Sequence, residues 1–491
     1  MSDLVNGKWE VVIGLEVHAQ IASRSKLFSG SAIDGEDGAN TRVSFFDVGM
    51  PGTLPVINSR CVDQAIRTGI GVHGQVNKIS VFDRKNYFYP DLPSGYQISQ
   101  FFFPIVTGGY LDIDVADETF RIGLTRIHME QDAGKSIHDL DPNRSFVDFN
   151  RAGIALMEIV SNPDMRSVEQ AVAFAKKLHT LVKYLGTCDG NMEKGNYRID
   201  ANVSLHEPGT PFGTRVEIKN LNSFKFMQSA LLYEIERQAD VIEKGNVVVQ
   251  ETRLFDPVQG ITTTMRDKED AEDYRYFADP DLPPLHLTDE RISEIRESMP
   301  ELPEAKYARF VNDLGLSNYS AEILSSDRLV GEFFDRAVLA GAFKDKLAAY
   351  KLVANWIVGD LFAAMKEHSV EMPDLKITPE SMAKLIELVQ DGTISGKIAK
   401  SVFEQMWLHP EQAPKSIVER LGLVQISDDG AISAAIEDIL STNENSVRDY
   451  LQGKEAVYGF FVGQIMKHFH GKANPEKVNS LLRQALQARK D

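Results

Sequence analysis

Glu16 and His18 stand two residues apart in VVIGLEVHAQI (11–21), the spacing that puts both on one face of a strand while Leu15, Val17, Ala19 and Ile21 share the other. The pattern recurs three times. In IGLTRIHMEQD, Arg126, His128 and Glu130 alternate against Ile127 and Met129. In YRIDANVSLH, Arg198, Asp200, Asn202 and Ser204 alternate against Ile199, Ala201, Val203 and Leu205. In TRVEIKNLNS, Arg215, Glu217 and Lys219 alternate against Val216 and Ile218. Alternation alone marks an antiparallel sheet with one core face and one wet face. The residue types carry more. A merely solvated face tends to use Thr, Lys, Ser and Gln, whereas these four concentrate Glu, Asp, His, Arg and Asn.

Assembled side by side, the four faces would make a concave surface with carboxylates for a hard cation and cationic groups for phosphate oxygens. Such a surface suits phosphoryl transfer, in which Mg²⁺ takes one or two carboxylates plus substrate phosphates. Glu16, His18, Glu130 and Glu217 are the candidate catalytic and metal-site residues, with Asp200 a weaker fifth. A structural zinc is not expected, because Cys61 and Cys188 are the only cysteines and lie in no ligand pattern. Two stretches imitate a phosphate loop without its spacing. Gly134-Lys135-Ser136 has Met129 where the first glycine belongs, and Gly392 and Gly396 are one residue too close, followed by Ile398 in place of Ser or Thr.

Up to about residue 290 the elements positioning these residues are short alternating segments separated by turns such as GMPGTLP and YPDLPSGY. Two helices interrupt them. One follows Ser167, which with Gln170 outlines a capping box, carries Phe174, Leu178, Leu181, Val182 and Leu185, and stops at Gly186. The other starts near NSFKF, carries Phe224, Met227, Leu231 and Ile235, and stops at Gly245. Beyond PELPEAKYARF the period is helical, with Thr378 as N-cap, Pro379 at the first turn and Gly392 after the end of one helix. The expected fold is α+β: an antiparallel-sheet domain over 1–297, an all-helical domain over 298–410, and a small helical tail over 411–491.

A chain of 491 residues, 43% hydrophobic and 25% charged, is long enough for two to four domains with their own cores. Its net charge of −18 excludes a general nucleic-acid coat but not a local basic patch. The cysteine usage fits a reducing compartment, and no stretch approaches the roughly 18 apolar residues of a membrane span, so a cytoplasmic protein without membrane attachment is expected.

The wording of the motifs adds to this. GLEVH, SKLFSG, DRKNYFYPDLPSGYQISQ, HMEQDAGKS, DFNRAGIALMEIVSNPD, GTRVEIKNLNSF, DAEDYRYFADPDLPP and GQIMKHFHGKANPEKVNSLLRQAL, in that order along nearly the whole chain, resemble the B-subunit family of the aspartyl/glutamyl-tRNA(Asn/Gln) amidotransferases. The resemblance implies a cradle domain like the glutamine synthetase catalytic fold, then a helical domain and a YqeY-like tail. It implies a carbon–nitrogen ligase with glutamine as amide donor. ATP phosphorylates the side-chain carboxylate of Glu or Asp misacylated on tRNA(Gln) or tRNA(Asn), and ammonia displaces the phosphate. Expected partners are an amidase A subunit that hydrolyses glutamine, a small C subunit and the misacylated tRNA; the expected cofactor is Mg²⁺. Glu16, His18, Glu130 and Glu217 are then the metal-site positions, and Lys85, Arg126, Arg198 and Lys219 the phosphate or carboxylate contacts. For those four cations a structural ion pair is an equal alternative.

The sequence departs from the family in three places. The cysteines that many members carry after KLF and before GLPG are missing, in keeping with no zinc. The second acid of the usual HMEED is Gln131, which the alternation turns away from Glu130. SLRCDAN is NYRIDAN, keeping Arg198 and Asp200. From Lys454 onward, Lys467, Lys472, Lys477, Arg483, Arg489 and Lys490 outnumber the acids, and the first four are the candidate tRNA contacts, a salt-sensitive grip on phosphates. Two other readings stay open: a tRNA-holding scaffold with structural carboxylates, and a free-standing amide ligase for a small metabolite.

Overall fold

In the computed structural model, residues 8–489 are described except 36–37, 139, 142, 268–270, 425, 427 and 470–471, and except the side chains of 266, 267, 271 and 272. The four alternating segments are all strands: β1 (Glu10–Gln20), β2 (Glu118–Gln131), β4 (Tyr197–His206) and β5 (Val216–Lys219), joined by β3 (Ala155–Ser161), β6 (Glu251–Asp256) and β7 (Ile261–Asp267). They form one ten-stranded sheet in the order β7-β6-β5-β4-β1-β3-β2, extended by the short strands Val106–Thr107 and Gln75–Val76, with Tyr110–Val115 also paired to β2. β1 is central. Its Glu16 lies opposite Asp200 and Val160, and its His18 opposite Arg198 and Glu158.

The expected antiparallel sheet contains one parallel pair, β5 with β6, in which Glu217 faces Thr252. The helix between those strands makes it so, because parallel neighbours need a crossover long enough to return the chain to the same end. That helix, α3 (Phe224–Glu243), is capped by the Ser223 hydroxyl accepting from Phe226 N–H. Its partner α2 (Val168–Leu185) has the Ser167 side chain accepting from Gln170 N–H and ends at Gly186 in the left-handed conformation. Gln170 departs from the capping-box expectation: its Oε1 accepts from the N–H of Arg166.

Both helices cover one side of the sheet. Leu15, Val17 and Ala19 of β1, Ile199, Ala201 and Val203 of β4, and Val216 and Ile218 of β5 are buried, as are Phe174, Leu178 and Val182 of α2 and Met227 and Leu231 of α3. At about 25 cal/mol per Å² of apolar area, this burial fixes the register, because a one-residue slip would turn every core side chain outward. The opposite face is therefore held in place by the core beneath it.

The chain divides into two compact units, Met1–Pro300 and Glu301–Asp491. The second is helical and has two cores. One runs from Phe310 to Val418 and the other from Ile432 to Leu486. Helix Pro414–Arg420 gives Ile417 and Val418 to the first, and Leu423 packs against it too, so residues past the expected 410 still belong to the first core. The helical run Lys346–His368 is long and apolar enough to cross a membrane, but its Val353, Ala354, Ile357 and Leu361 are buried in the first core.

Candidate active site

Five adjacent strands bring their polar residues to the face opposite the two helices, where they fall into two groups. In the first, the Nε2 of His18 lies 3.6 Å from Glu130 Oε1 and 3.5 Å from Glu158 Oε2. His128 Nε2 lies 3.1 Å from Glu158 Oε2 and 3.8 Å from Glu130 Oε2. One ligand atom each from His18, Glu130 and Glu158 fits within 4.8 Å of the others, close enough to share one ion. The second group lies beside it. Lys219 Nζ bridges Asp200 Oδ2 at 2.6 Å and Glu217 Oε1 at 3.1 Å. Glu217 Oε2 accepts from the Thr252 hydroxyl, and Glu16 Oε1 accepts from Asn202 Nδ2.

The electrostatics follow from this crowding. Burial opposes charge on His18, but Glu158 and Glu130 outweigh it and hold the imidazole's pKa up at about 9. His128 is also raised, against burial, chiefly by Glu158. Burial favours the neutral acid at Glu158 and Glu130, yet the two imidazoles keep Glu158 well below the carboxylate range and Glu130 below it. Glu16 moves the other way. Burial, then Glu158, Glu217 and Asp200, raise its proton affinity.

Of the four expected metal ligands, the structure brings His18 and Glu130 together and sets Glu16 and Glu217 in the second group with Asp200. The third member of the first group, Glu158, escaped sequence reasoning. It is the one acid in ALMEIVS, between Leu156 and Val160 on its own face, where no alternation advertises it. The available signal was that a lone carboxylate in an apolar strand must find partners. Gln131 pairs with Ala155, on the core side of β3, and Glu130 with Leu156, so the two side chains point to opposite faces. Asp132, one residue past β2, also acts here: Arg198 donates to its Oδ2 at 3.1 Å.

Lys219 and Arg198 are thus held in ion pairs. Arg126 lies over the Phe101 ring, 5.4 Å from its centroid, with a buried Nε that has no hydrogen-bond partner. Lys85 sits over Tyr274. A cavity of about 320 Å³ opens beside Glu16, lined by Gly14, Asn202, Ser204, Phe212 and Arg215 among others. KLF and the segment before GMPG meet at a buried ion pair, Lys26 Nζ to Asp47 Oδ2 at 3.2 Å, and Asp47 also accepts from the Ser29 hydroxyl and the Ser44 N–H. In the tail, Lys472 donates to the Gly422 carbonyl, Lys477 pairs with Asp429, Arg489 with Glu437, Arg483 lies over Tyr458 and Lys467 is exposed. Lys490 is outside the described residues.

Fold and face together define an α+β protein with a histidine–carboxylate cluster, its ligand atoms close enough to share one ion, on the side of its main sheet opposite the two helices. Residues 11–293 match the GatB/GatE catalytic domain and residues 333–486 the GatB domain. A protein of Hydrogenovibrio crunogenus, named as the B subunit of an aspartyl/glutamyl-tRNA(Asn/Gln) amidotransferase, is 52% identical over 479 residues, covering 97% of this chain and 99% of the relative. One of the same name from Rickettsia bellii is 52% identical over 482 residues, 98% of each. The chain belongs to the GatB family of amidotransferase B subunits.

Proposed function

We propose that this chain is the B subunit of a tRNA-dependent amidotransferase, converting Glu-tRNA(Gln) or Asp-tRNA(Asn) to Gln-tRNA(Gln) or Asn-tRNA(Asn) in the cytoplasm, with glutamine as amide donor. The observation that carries it is the His18–Glu130–Glu158 group beside Glu16, Asp200, Glu217 and Lys219 in a GatB/GatE catalytic domain.

The chemistry demands such a face. A carboxylate is a poor electrophile, so one of its oxygens first attacks the γ-phosphorus of ATP, expelling ADP and leaving an acyl phosphate. Ammonia then attacks the acyl carbon, phosphate departs, and the nitrogen loses a proton. The intermediate must be held in place and away from water. His18, Glu130 and Glu158 fit a divalent ion: two carboxylates and an imidazole converge on one point, and the imidazole carries in its absence a proton that the ion would replace. Bound Mg²⁺ supplies charge neutralisation on the phosphates of ATP. Arg126 and Arg198 offer guanidinium groups for phosphate or carboxylate oxygens. Lys219 keeps Asp200 and Glu217 oriented. Glu16, with its raised proton affinity, is the acceptor for the proton the nitrogen sheds.

The ammonia would come from an amidase A subunit, with a small C subunit completing a heterotrimer, and the helical tail would grip tRNA. Lys467 and Arg483 are its exposed candidates, while Lys472 and Lys477 already make bonds within the tail. The test is reconstitution with the A and C subunits, ATP, Mg²⁺ and glutamine, scoring amidated aminoacyl-tRNA. The proposal fails if both misacylated tRNAs stay unchanged, or if Glu130→Ala assembles and amidates like wild type, which would make the chain a scaffold.

A further inference from the structure

A continuous wall of aromatic rings leads away from the polar face, and none of those rings has a role in the chemistry above. It begins at Arg126, whose guanidinium lies over Phe101. Phe101 stacks on Tyr276 with centroids 4.3 Å apart and planes at 15°, Tyr276 meets Tyr274 at 6.1 Å, and Tyr274 meets Tyr87 at 6.2 Å. The ammonium of Lys85 hangs over this run, 4.6 Å from the Tyr274 centroid and 5.7 Å from that of Tyr87. The wall is anchored to β2, because Gln97 donates to the Gln131 carbonyl at 2.8 Å and Gln100 accepts from the Met129 N–H at 3.0 Å.

Two features separate this wall from ordinary packing. Phe101, Tyr87, Tyr274 and Tyr276 are only half-buried, so part of each ring is open. The wall also shares the field of the metal-site acids: burial and then Glu130 push the phenols of both Tyr87 and Tyr276 up, so both stay neutral. Open aromatic faces with a cation beside them are what an unpaired base and its phosphate require.

The amidotransferase reading supplies such a base. The aminoacyl group of its substrate is esterified to the ribose of the tRNA's terminal adenosine, so the purine, the phosphate 5′ to it and the reacting carboxylate arrive as one unit. We propose that Tyr274, with Tyr87 and Lys85, seats that terminal nucleoside: the purine stacks on the Tyr274 ring, Tyr87 flanks it with its plane at 76° to that ring, and the ammonium meets the phosphate. The aminoacyl side chain then extends toward His18, Glu130 and Glu158. These are positioning residues, and the proposal rests on the amidotransferase reading. ATP also carries an adenine; the cavity beside Glu16, lined by none of these rings, is a second recess on the face, and separate KM values for ATP and tRNA distinguish the two ligands.

The test uses the assembled complex with wild type, Tyr274→Ala, Tyr274→Phe and Lys85→Ala. Tyr274→Ala should raise KM for the misacylated tRNA about tenfold, the scale of one lost base stack. KM for ATP and kcat at saturating tRNA should stay within about twofold, and Tyr274→Phe, which keeps the ring, should restore KM. Lys85→Ala should also raise KM for the tRNA, so the proposal stays testable if Tyr274→Ala fails to fold. A tRNA ending in 2-aminopurine should lose fluorescence on binding wild type and keep it with Tyr274→Ala. A rise in KM for ATP alone would assign the wall to the nucleotide and overturn the proposal. Unchanged KM values in both alanine variants would make the wall structural and overturn it too, with wild-type amidation still upholding the reading beneath. Only an inactive wild type would remove both.

Discussion

Binding of a divalent ion to this chain should displace a proton, and the pH dependence that follows checks the His18–Glu130–Glu158 group without any need for turnover. His18 holds its proton up to a pKa of about 9 because Glu158 and Glu130 overcome the cost of burial. A metal-bound imidazole must be neutral. At pH 7 the imidazole lies about two units below its pKa, and stripping its proton costs about 2.7 kcal/mol, which weakens apparent affinity roughly a hundredfold against the high-pH limit. Affinity for Mn²⁺, a spectroscopic stand-in for Mg²⁺, should therefore climb about tenfold per pH unit between pH 6.5 and 8.5, with close to one proton released per ion. Glu158→Gln removes a ligand and the largest of the charges that raise His18, so it should weaken binding by about a hundredfold or more and flatten the pH slope. Calorimetric titration of Mn²⁺ in two buffers of different ionisation enthalpy counts the protons. Affinity independent of pH with no proton release in wild type, or a folded Glu158→Gln that binds like wild type, would refute the reasoning.

In the ion-free chain the raised pKa of His18 should stabilise the fold in full below the ordinary value of about 6.5 and lose that contribution as pH rises through about 9, an effect of at most about 3 kcal/mol; urea midpoints at pH 6 and 9.5 for wild type and His18→Gln measure it. Glu130→Ala should abolish ATP-dependent carboxylate activation, whereas Gln131→Glu, on the opposite face, should leave Mn²⁺ affinity within about twofold, as calorimetry of both variants would show. Lys26→Met should cost about 3 kcal/mol in chemical denaturation, because it strands the buried Asp47 carboxylate. Its double mutant with Asp47→Leu should recover much of the loss.

What the sequence made legible was governed by period. Polar residues at every second position across β1, β2, β4 and β5 announced a shared face, because register is locked by the apolar residues between them. The same rule turned Gln131 away from Glu130. Glu158 stayed hidden because β3 is apolar around it on both faces, so it has no pattern to belong to. The parallel β5–β6 pair was hidden as well, since strand direction depends on where α3 returns the chain and not on either strand's composition. Lys85 entered only through resemblance: its strand is four residues long, and the rings beneath it come from segments nearly two hundred residues apart.

The two groups on the face also explain each other. The acids Glu16, Glu130, Glu158, Asp200 and Glu217, gathered on one face and each half-buried or buried, would repel strongly if left to themselves. The chain answers that repulsion differently in each half. Lys219 is a fixed cation, tied by short contacts to Asp200 and Glu217, while Glu16 beside them meets the repulsion by holding a proton more tightly. In the first group the positive charge rests on imidazoles, the one side chain that can surrender it near neutral pH and then ligate what takes its place. Replacing His18 by lysine would keep the charge balance and lose the exchange. On the proposed reading, the pairing of a histidine, not a lysine, with Glu130 and Glu158 is what would let that half of the face trade a proton for an ion.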